Sequence, residues 1–156
     1  MTLSLGRHPS HDRDMDSTER TSLDHQGLEI IAPEECWQLL GDAPVGRVAF
    51  DEAGEPMVLP VNHAVVGHRI VFRTLRGSLL HEALMASPVA FQVDGFDAIE
   101  RTGWSVLVRG VADLAEDPDQ LDELELHPWA DTVDRDDWVQ IRPDEVTGRR
   151  IVHLRP

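Results

Sequence analysis

Residues 45–74, "VGRVAFDEAGEPMVLPVNHAVVGHRIVFRT", decide the fold. The stretch holds three runs rich in β-branched and aromatic residues, and turn-forming residues separate them at 52–55 and at 67–68. Strands with such short connections pair antiparallel, because a parallel pair needs a crossover of a dozen or more residues. Pro60 lies in the middle run and has no N–H to donate, which predicts a sheet edge or a bulge at that point.

Further elements lie on either side of this stretch. Pro33 followed by two Glu predicts the start of a helix, and Gly41 predicts its end. The remaining predicted elements are a short strand before Pro33, a short helix at 77–87, strands at 89–97 and 103–116, an acidic helix at 117–130 and two final strands around a turn at 142–148. Six or so strands in hairpin succession, with three short helices, predict a mainly β fold, an antiparallel barrel with helices at its ends.

Composition bounds the size and the partners of the protein. The chain has 156 residues, enough for one ordinary domain with a single core. Its 29 acidic and 14 basic residues give a net charge of -15, and such a surface repels nucleic acid and anionic lipid. All the basic residues are Arg, so a pyridoxal-phosphate Schiff base and a P-loop nucleotidase, which each need a Lys, are excluded.

The first 27 residues differ from the rest in their hydrophobic pattern. They show no sustained helix or strand period, and we interpret 1–27 as a flexible tail ahead of one domain at 28–156. His8, His11 and His25 lie in this tail without the fixed spacing of a metal site, so no metal is expected.

Cys36 is the only cysteine, so it cannot form an internal disulfide. Its helix-like surroundings favour a small buried side chain over a reactive thiol. No apolar run approaches the length of a membrane span or of a signal-peptide core, and the expected location is the cytoplasm. The motifs of the common hydrolases and metalloenzymes, GxSxG, HExxH and CxxC, do not occur.

Residues 73–79, "RTLRGSL", join a strand end to a glycine turn and a helix start, an arrangement typical of a phosphate site. The backbone N–H groups of Gly77, Ser78 and Leu79 and the Ser78 hydroxyl are suitable phosphate ligands. Arg73 adds a forked, permanently charged donor. The alternative is that Ser78 is a plain helix N-cap and Arg73 a solvated strand residue.

Two other segments carry groups suited to a flat ring. Pro60-Val61-Asn62 interrupts a regular strand, and Asn62 supplies both a donor and an acceptor. His63 is either a proton donor or a barrel-facing side chain. Trp104, followed by Ser105, is either a core residue or one wall of a site for an aromatic ring.

Six segments in series, "GRVAF", "PMVLPVNHAV", "RIVFRTLRGSLL", "VAFQVDGFD", "GWSVLVRGVA" and "VTGRRIV", resemble the pyridoxamine 5'-phosphate oxidase-like family of flavin-binding split barrels. The branch that they resemble is the small actinobacterial-type proteins grouped with nitroimidazole-resistance reductases. The resemblance runs from about residue 30 to the C-terminus. It implies a six-stranded antiparallel split barrel that forms a homodimer, with two FMN sites at the subunit interface.

The resemblance also implies roles for individual residues. It assigns the isoalloxazine wall to Leu59, Pro60, Val61 and Asn62, the phosphate to Arg73, Thr74, Gly77 and Ser78, and positions near the ring to Trp104 and Ser105. Family members commonly carry Lys where this chain has Leu79, and the loss of one charge-assisted hydrogen bond costs about 1.5 to 3 kcal/mol. Arg76 is a candidate replacement, and a deazaflavin, haem or no cofactor at all are the alternatives to FMN.

The function that the resemblance implies is an FMN-dependent oxidoreductase. A reduced nicotinamide would be the donor, a small nitro compound or quinone the acceptor, and His63 a candidate proton donor. The competing hypothesis is a non-catalytic protein that stores, senses or sequesters a cofactor, or that has lost it, and Leu79 favours this reading. Pyridoxamine phosphate oxidation itself is not carried over, because a fold does not fix a reaction.

Overall fold

The computed structural model describes residues 22–85, 87–124, 126 and 137–151. Within these residues the chain forms eight strands and three helices. In chain order they are β1 (Glu29–Ile31), α1 (Pro33–Asp42), β2 (Val45–Glu52), β3 (Glu55–Asn62), β4 (Ala64–Val66), β5 (Arg69–Thr74), α2 (Leu79–Leu84), β6 (Ser87–Asp97), β7 (Thr102–Leu114), α3 (Pro118–Leu121) and β8 (Asp137–Ile151).

The strands form one curled antiparallel sheet, a half-barrel with a few short helices. Their order is β3-β2-β6-β7-β8-β5-β4, and β1 pairs with another part of β8. Six strands are long, and β1 and β4 have three residues each. The concave face carries fully buried side chains that include Val48, Phe72, Phe91, Val106 and Ile141. The predicted mainly β, antiparallel split barrel is therefore confirmed.

Helix α1 packs against β8 at a position where only glycine fits. Pro33 is in the first turn of α1, as predicted, and the helix runs through Gly41 to Asp42. A Cβ added to Gly148 of β8 would lie 2.6 Å from the Cys36 Sγ atom and 2.9 Å from the Ile31 Cβ atom. Cys36 is completely buried there, and its burial raises the pKa of the thiol. The prediction of a small buried side chain is confirmed.

The terminal strand of the sheet is β3, so Pro60 lies at a sheet edge as predicted. Pro60 does not interrupt the strand. It pairs with Arg47 of β2, and β3 continues to Asn62. The interruption falls three residues after Pro60, at His63, which separates β3 from β4.

The predicted turn at 142–148 is wrong, because β8 runs unbroken from Asp137 to Ile151. A register shift in the pairing of β7 with β8 accounts for the turn-like residues: Arg109 pairs with Glu145 and Gly110 with Pro143, which leaves Asp144 as the extra residue of a bulge. Pro143 is tolerated at a bulge, and Gly110 is required there because its Cβ would lie 2.1 Å from the Arg142 carbonyl oxygen.

A second, smaller cluster covers the other face of β5 and β8. It contains Val71, Leu121 and Trp138, and α3 supplies Leu121. Helix α3 has four residues and is shorter than the acidic helix predicted at 117–130, of which residues 125 and 127–130 lie outside the described part. No helix of the part described is long and apolar enough to cross a membrane.

Residues 22–27, assigned to the tail by sequence, form a turn that contacts the sheet. Asp24 accepts hydrogen bonds from the backbone N–H groups of Gln26 and Leu28 and from Arg149 Nε at 2.8 Å. The bond from Leu28 is the main cause of the lowered pKa of Asp24. Residues 1–21, with His8 and His11, lie outside the described part, so the predicted domain boundary stays a prediction.

Candidate functional site

The 73–79 segment folds as the sequence predicts, with a strand end, a glycine turn and a capped helix. Gly77 has a φ of +69°, a conformation that favours glycine. Ser78 is the N-cap of α2, and its hydroxyl accepts from the His81 backbone N–H at 3.2 Å. The Thr74 hydroxyl is buried and lies 3.2 Å from the Ser78 hydroxyl. The segment thus contains the helix N-cap that the alternative interpretation predicted, together with two neighbouring hydroxyls beside the helix start.

Arg73 at the end of β5 is held by an aromatic ring instead of an acid. Its guanidinium carbon lies 5.3 Å from the centre of the Trp138 ring, within the range of a cation–π contact. Trp138 is opposite Arg73 in the pairing of β5 with β8 and is fixed by a 2.7 Å hydrogen bond from its indole N–H to Asp122. The buried Nε atom of Arg73 has no hydrogen-bond partner among the described residues.

Among the described residues, Arg73 is unusual because it has no acidic partner there. Nine arginines lie in the described residues, and seven of them form ion pairs with Asp or Glu. Arg73 and Arg101 are the two of these nine for which no ion pair is found. Arg101 is exposed in the turn between β6 and β7, whereas Arg73 is half-buried beside the 73–79 segment. Within the part of the chain that the structure describes, Arg73 is therefore a half-buried positive charge without an acidic partner.

Arg76, by contrast, is bound by an acid. It donates to Asp137 through Nη2 at 2.6 Å and through Nε at 3.1 Å. The hydrogen bond from Arg76 is the main reason that the pKa of Asp137 lies below its usual value. His81 of α2 also approaches the same carboxylate, with Nε2 at 3.0 Å from Oδ2. We call Arg76, His81 and Asp137 the charged cluster.

The end of β3 lies beside the 73–79 segment. Ala64 pairs with Val71 in the β4–β5 hairpin, and β3 contacts β5. Extending that register by two residues brings Asn62 level with Arg73. Val61 is buried and Asn62 half-buried, and β3 has no neighbouring strand on its outer side in the described sheet. One part of the predicted ring site therefore adjoins the predicted phosphate site.

His63 is buried in the barrel and is bound to a helix end. Its Nε2 atom lies 2.8 Å from the Leu40 carbonyl oxygen, so the proton is on Nε2, and its ring packs edge-on to Phe91 at 4.8 Å. Burial lowers the pKa of His63. This geometry favours the barrel-facing interpretation, because the Nε2 proton is already donated to α1.

Trp104 and Ser105 lie in a different place from the 73–79 segment. They line a cavity of about 390 Å³ together with Phe96 and the arginines at the end of β8. Gly95 allows this arrangement, since its Cβ would lie 2.7 Å from the Trp104 Nε1 atom. No residue of 73–79 lines this cavity. Trp104 pairs with Arg150 and Arg73 with Trp138, so the two halves of the predicted site lie at opposite ends of β8.

Sequence reasoning missed two residues of the charged cluster. Asp137 is opposite Thr74 only because β5 pairs with β8, and no local pattern gives that register. His81 had a usable signal, because the third residue after an N-cap lies in the first helical turn, near the capping side chain.

Comparison with known proteins agrees with this fold. The family model described as pyridoxamine 5'-phosphate oxidase matches residues 32–150. An uncharacterized protein of Mycobacterium tuberculosis is 40% identical over 126 residues, covering 76% of this chain and 82% of the relative. The FAD binding protein from Mycobacterium smegmatis is 33% identical with a TM-score of 0.68, covering 78% of this chain and 96% of that one. A candidate 5-nitroimidazole antibiotic resistance protein from Bacteroides thetaiotaomicron has a TM-score of 0.62 at 17% identity, covering 79% and 87% of the two chains, and shows the fold alone.

Proposed function

Because this chain belongs to the pyridoxamine 5'-phosphate oxidase family of flavin-binding split barrels, we propose that it is a flavin-dependent oxidoreductase. The proposed donor is a reduced nicotinamide, and the proposed acceptor is a small nitro compound or quinone. Such a donor is abundant in the cytoplasm, which is the proposed location. A bound flavin supplies hydride acceptance at N5 and electron transfer to the acceptor.

The availability of Arg73 is the observation that carries the proposal. A flavin nucleotide needs a cation for its phosphate, and in a chain with a net charge of -15 most arginines of the described part are neutralised by acids. Among the described residues, no acid pairs with Arg73. Its guanidinium lies over the Trp138 ring, and its buried Nε–H lacks an acceptor there. The residues present therefore fit a phosphate-bearing cofactor.

The other side chains have roles that follow from their positions. We assign the phosphate to Arg73, Thr74, Ser78 and the backbone of Gly77 and Leu79, with Arg76 in a neighbouring position. We assign the ring to Leu59, Pro60, Val61 and Asn62 at the open edge of β3. Protein groups at that edge would orient the ring and exclude water from one of its faces.

We also propose a homodimer. Trp104 and Ser105 are placed near the ring by the family resemblance, yet in one chain they lie at the far end of β8 from Arg73. A second copy would bring its own Trp104 to the site. The sheet also exposes Val58, which is 59% accessible, near a shallow cavity of about 470 Å³ between β2 and β6. Exposed apolar area on a sheet face is a common feature of protein interfaces.

Cofactor titration tests the proposal directly. Ligand-stripped protein is titrated with FMN, FAD, riboflavin and a deazaflavin, and binding is followed by quenching of the ligand's fluorescence. FMN is the cofactor that the sequence predicts, and the Mycobacterium smegmatis relative is described as binding FAD. Micromolar or tighter binding of a flavin nucleotide supports the proposal. The flavin-loaded protein is then tested for turnover with NADH or NADPH. Absence of binding by every flavin overturns it.

Replacing Arg73 by Ala is the matching test at the residue level. We expect the affinity for a flavin nucleotide to fall about tenfold to a hundredfold, the loss of a charge-assisted hydrogen bond, while riboflavin binding stays unchanged. Arg101→Ala is the control, because it removes the same charge from the other arginine that has no ion pair in the described part. Unchanged affinity in Arg73→Ala would remove Arg73 from the site.

The second candidate function is a cofactor-binding protein without turnover. Two observations favour it: Leu79 replaces the usual Lys, and Arg76, the proposed substitute, is bound by Asp137. Flavin binding and nicotinamide oxidation, measured on the same protein, separate the candidates. Tight binding without NADH or NADPH oxidation, with any acceptor tried, would favour storage or sensing.

A further inference from the structure

We propose that His63 is a pH-dependent latch, which holds the C-terminal end of α1 against the junction of β3 and β4 when the imidazole is neutral and releases it when the imidazole is protonated. The proposal concerns the protein without a ligand, so it goes beyond the flavin function and does not depend on it. It gives one end of the barrel a conformational response to weakly acidic pH.

The latch is a hydrogen bond that completes the end of a helix. The last carbonyl groups of a helix have no N–H partners within it. The Ala43 N–H group bonds to the Leu39 carbonyl, but the Leu40 carbonyl would need an N–H from residue 44, which is a proline. The Nε2–H group of His63 donates to the Leu40 oxygen instead, at 2.8 Å. One side chain from the sheet therefore terminates α1.

The surroundings of His63 leave no place for a second proton. The residue is 5% exposed, and its Nδ1 atom is buried without a hydrogen-bond partner among the described residues. The Phe91 ring packs edge-on to it at 4.8 Å and lies so close to Gly46 that a Cβ there would overlap the ring. A proton on Nδ1 would create a buried charge and a donor without an acceptor, and burial lowers the pKa of His63 accordingly.

The ionisable groups of the elements around His63 do not offer a partner for that charge. Burial is the larger cause of its shifted pKa and the Leu40 carbonyl the smaller one. Cys36 is buried on α1, and its raised pKa keeps the thiol neutral. The charged side chains of these elements are exposed or half-buried: Glu34, Glu35 and Asp42 on α1, Arg47, Asp51 and Glu52 on β2, Glu55 on β3, and Asp94 and Asp97 on β6. Protonation therefore favours a state in which the ring reaches water.

A second imidazole contacts α1 at the other end of β4 but should respond differently. His68 lies in the turn after β4, and its ring centre is 5.1 Å from that of Trp37. His68 is exposed, so its protonation requires no movement. A protonated imidazole also packs favourably against an indole face. Of the two contacts that join α1 to this hairpin, the one at His63 is therefore the pH-sensitive one.

The direction of the response follows from the two states of His63. An exposed imidazole has a pKa near 6.5, so neutral His63 keeps α1 closed above that pH. Below it, the released form binds a proton that the closed form does not, and the opening constant rises by up to about tenfold per pH unit. Asn62, which we assign to the flavin ring, directly precedes His63. Opening of the latch would thus also loosen the end of the β3 edge.

Cys36 provides the measurement, because it is the single cysteine of the chain and is completely buried on α1. Wild-type protein without a ligand is treated with a pyridyl disulfide between about pH 5.5 and 7.5, at reagent concentrations to which the rate is proportional. Dividing this rate by that of the urea-unfolded protein at the same pH removes the titration of the thiol and gives the opening constant. We expect it to rise about fivefold to tenfold from the highest to the lowest pH.

Two variants assign the response to one residue. His63→Gln keeps a donor for the Leu40 carbonyl and cannot titrate, so its opening constant should be the same at every pH. His68→Gln is the matched control and should keep the full rise. If His63→Gln fails to fold, which circular dichroism would reveal, hydrogen exchange in the wild-type protein replaces it. The Ala43 N–H group, at the end of α1, should lose protection at low pH by the same factor while the amides of β7 keep theirs.

Labelling in low concentrations of urea separates opening of α1 from unfolding of the whole chain, because the dependence on urea scales with the surface exposed. A rise that is absent from His63→Gln, present in His68→Gln and weakly dependent on urea supports the latch. A change below about twofold in the wild-type protein, or a rise that persists in His63→Gln, overturns it. A dependence on urea equal to that of global unfolding also overturns it, since α1 then does not open on its own. None of these measurements uses a flavin, so the proposed function is tested separately.

Discussion

The two ends of β8 are built in different ways. At the C-terminal end, Gly148 lets α1 and β1 approach the strand so closely that no side chain fits between them. At the N-terminal end, Asp137 forms an ion pair with Arg76 and lies 3.0 Å from His81 Nε2, and these two partners belong to a turn and a short helix. At the C-terminal end, close packing at Gly148 adds to the ion pairs of Arg149 and Arg150, whereas at the N-terminal end Asp137 is held by polar contacts.

The difference indicates at which positions a substitution should affect ligand binding without loss of the fold. Close packing responds to a single methyl group, because protein interiors are packed as densely as organic crystals. A partly exposed ion pair contributes little to stability, because water and salt screen it. Substitutions at the Gly148 end should therefore act on stability, and those at the Asp137 end on ligand binding.

The largest effect is expected from Gly148→Ala. The new Cβ would lie 2.6 Å from Cys36 Sγ, closer than atoms approach, so α1 or β8 must shift. We expect a loss of about 3 kcal/mol in the free energy of unfolding, the upper part of the range for overpacked cores. Urea unfolding followed by Trp fluorescence measures it.

Gly41→Ala is the matched control for this prediction. Gly41 is exposed in α1, and a Cβ there meets no atom within 4 Å. The same chemical change should stabilise the protein by about 0.5 to 1 kcal/mol through helix propensity. If both variants lost equal stability, the inference that no side chain fits between α1 and β8 at position 148 would be wrong.

The second largest effect is expected near the charged cluster, from Leu79→Lys. The substitution restores the cation that family members commonly carry, and we expect flavin nucleotides to bind about thirtyfold more tightly, equivalent to about 2 kcal/mol. Leu75→Lys adds the same charge in the exposed turn and should give a much smaller gain. A gain of equal size from both variants would mean that general charge, and not this position, limits binding. Fluorescence titration at two salt concentrations separates the cases.

Local patterns were sufficient to predict much of the fold. The three turn-separated runs in residues 45–74 predicted consecutive antiparallel strands, Pro60 predicted the edge, and Ser78 predicted the helix cap, because each signal depends on a few neighbouring residues. The strand β8 was split in the prediction, since Pro143 is typical of a turn. Only the partner strand, with Gly110 facing Pro143, shows that the same residue fits a bulge.

The site was predictable to the extent that it is local. The 73–79 segment contains its own turn, hydroxyls and cation, so the sequence predicted its local fold, and its role as a phosphate site stays a prediction. Asp137 lies 63 positions after Thr74, and sequence spacing gives no indication that they are paired. Acidic residues in a strongly acidic chain are usually solvated, and only the register of β5 and β8 distinguishes this one.

The effect of pH gives a third prediction, of intermediate size. Burial lowers the pKa of His63 in the folded state below its unfolded value near 6.5. The contribution of neutral His63 to stability is therefore complete above pH 6.5. This contribution decreases by at most about 1.4 kcal/mol per pH unit as the pH falls towards the folded pKa. The reason is that His63 binds a proton in the unfolded state and stays neutral in the folded state.

His63→Gln should remove this slope while keeping a donor for the Leu40 carbonyl. His68→Gln is the control, because His68 is exposed beside Trp37 and should leave the slope unchanged. The lowered pKa values of Asp24, Asp117 and Asp137 affect stability only below about pH 4, outside this window. A slope that persists in His63→Gln would assign it to another group. Unfolding by urea between pH 5 and 8 provides the measurement.

The smallest effect is expected between the two ends, at the ion pair of Arg109 with Glu145. Its side chains are 66% and 45% exposed, so a double-mutant cycle with Ala should give a coupling of about 0.5 kcal/mol that disappears in 1 M salt. Arg109 also lines the shallow cavity between β2 and β6. A coupling above about 1 kcal/mol that survives the salt would contradict the expectation for a solvated pair, and it would mean that a partner subunit covers this face. The cycle thus measures the baseline against which the charged cluster at Asp137 is compared, and it tests whether a second copy covers this face.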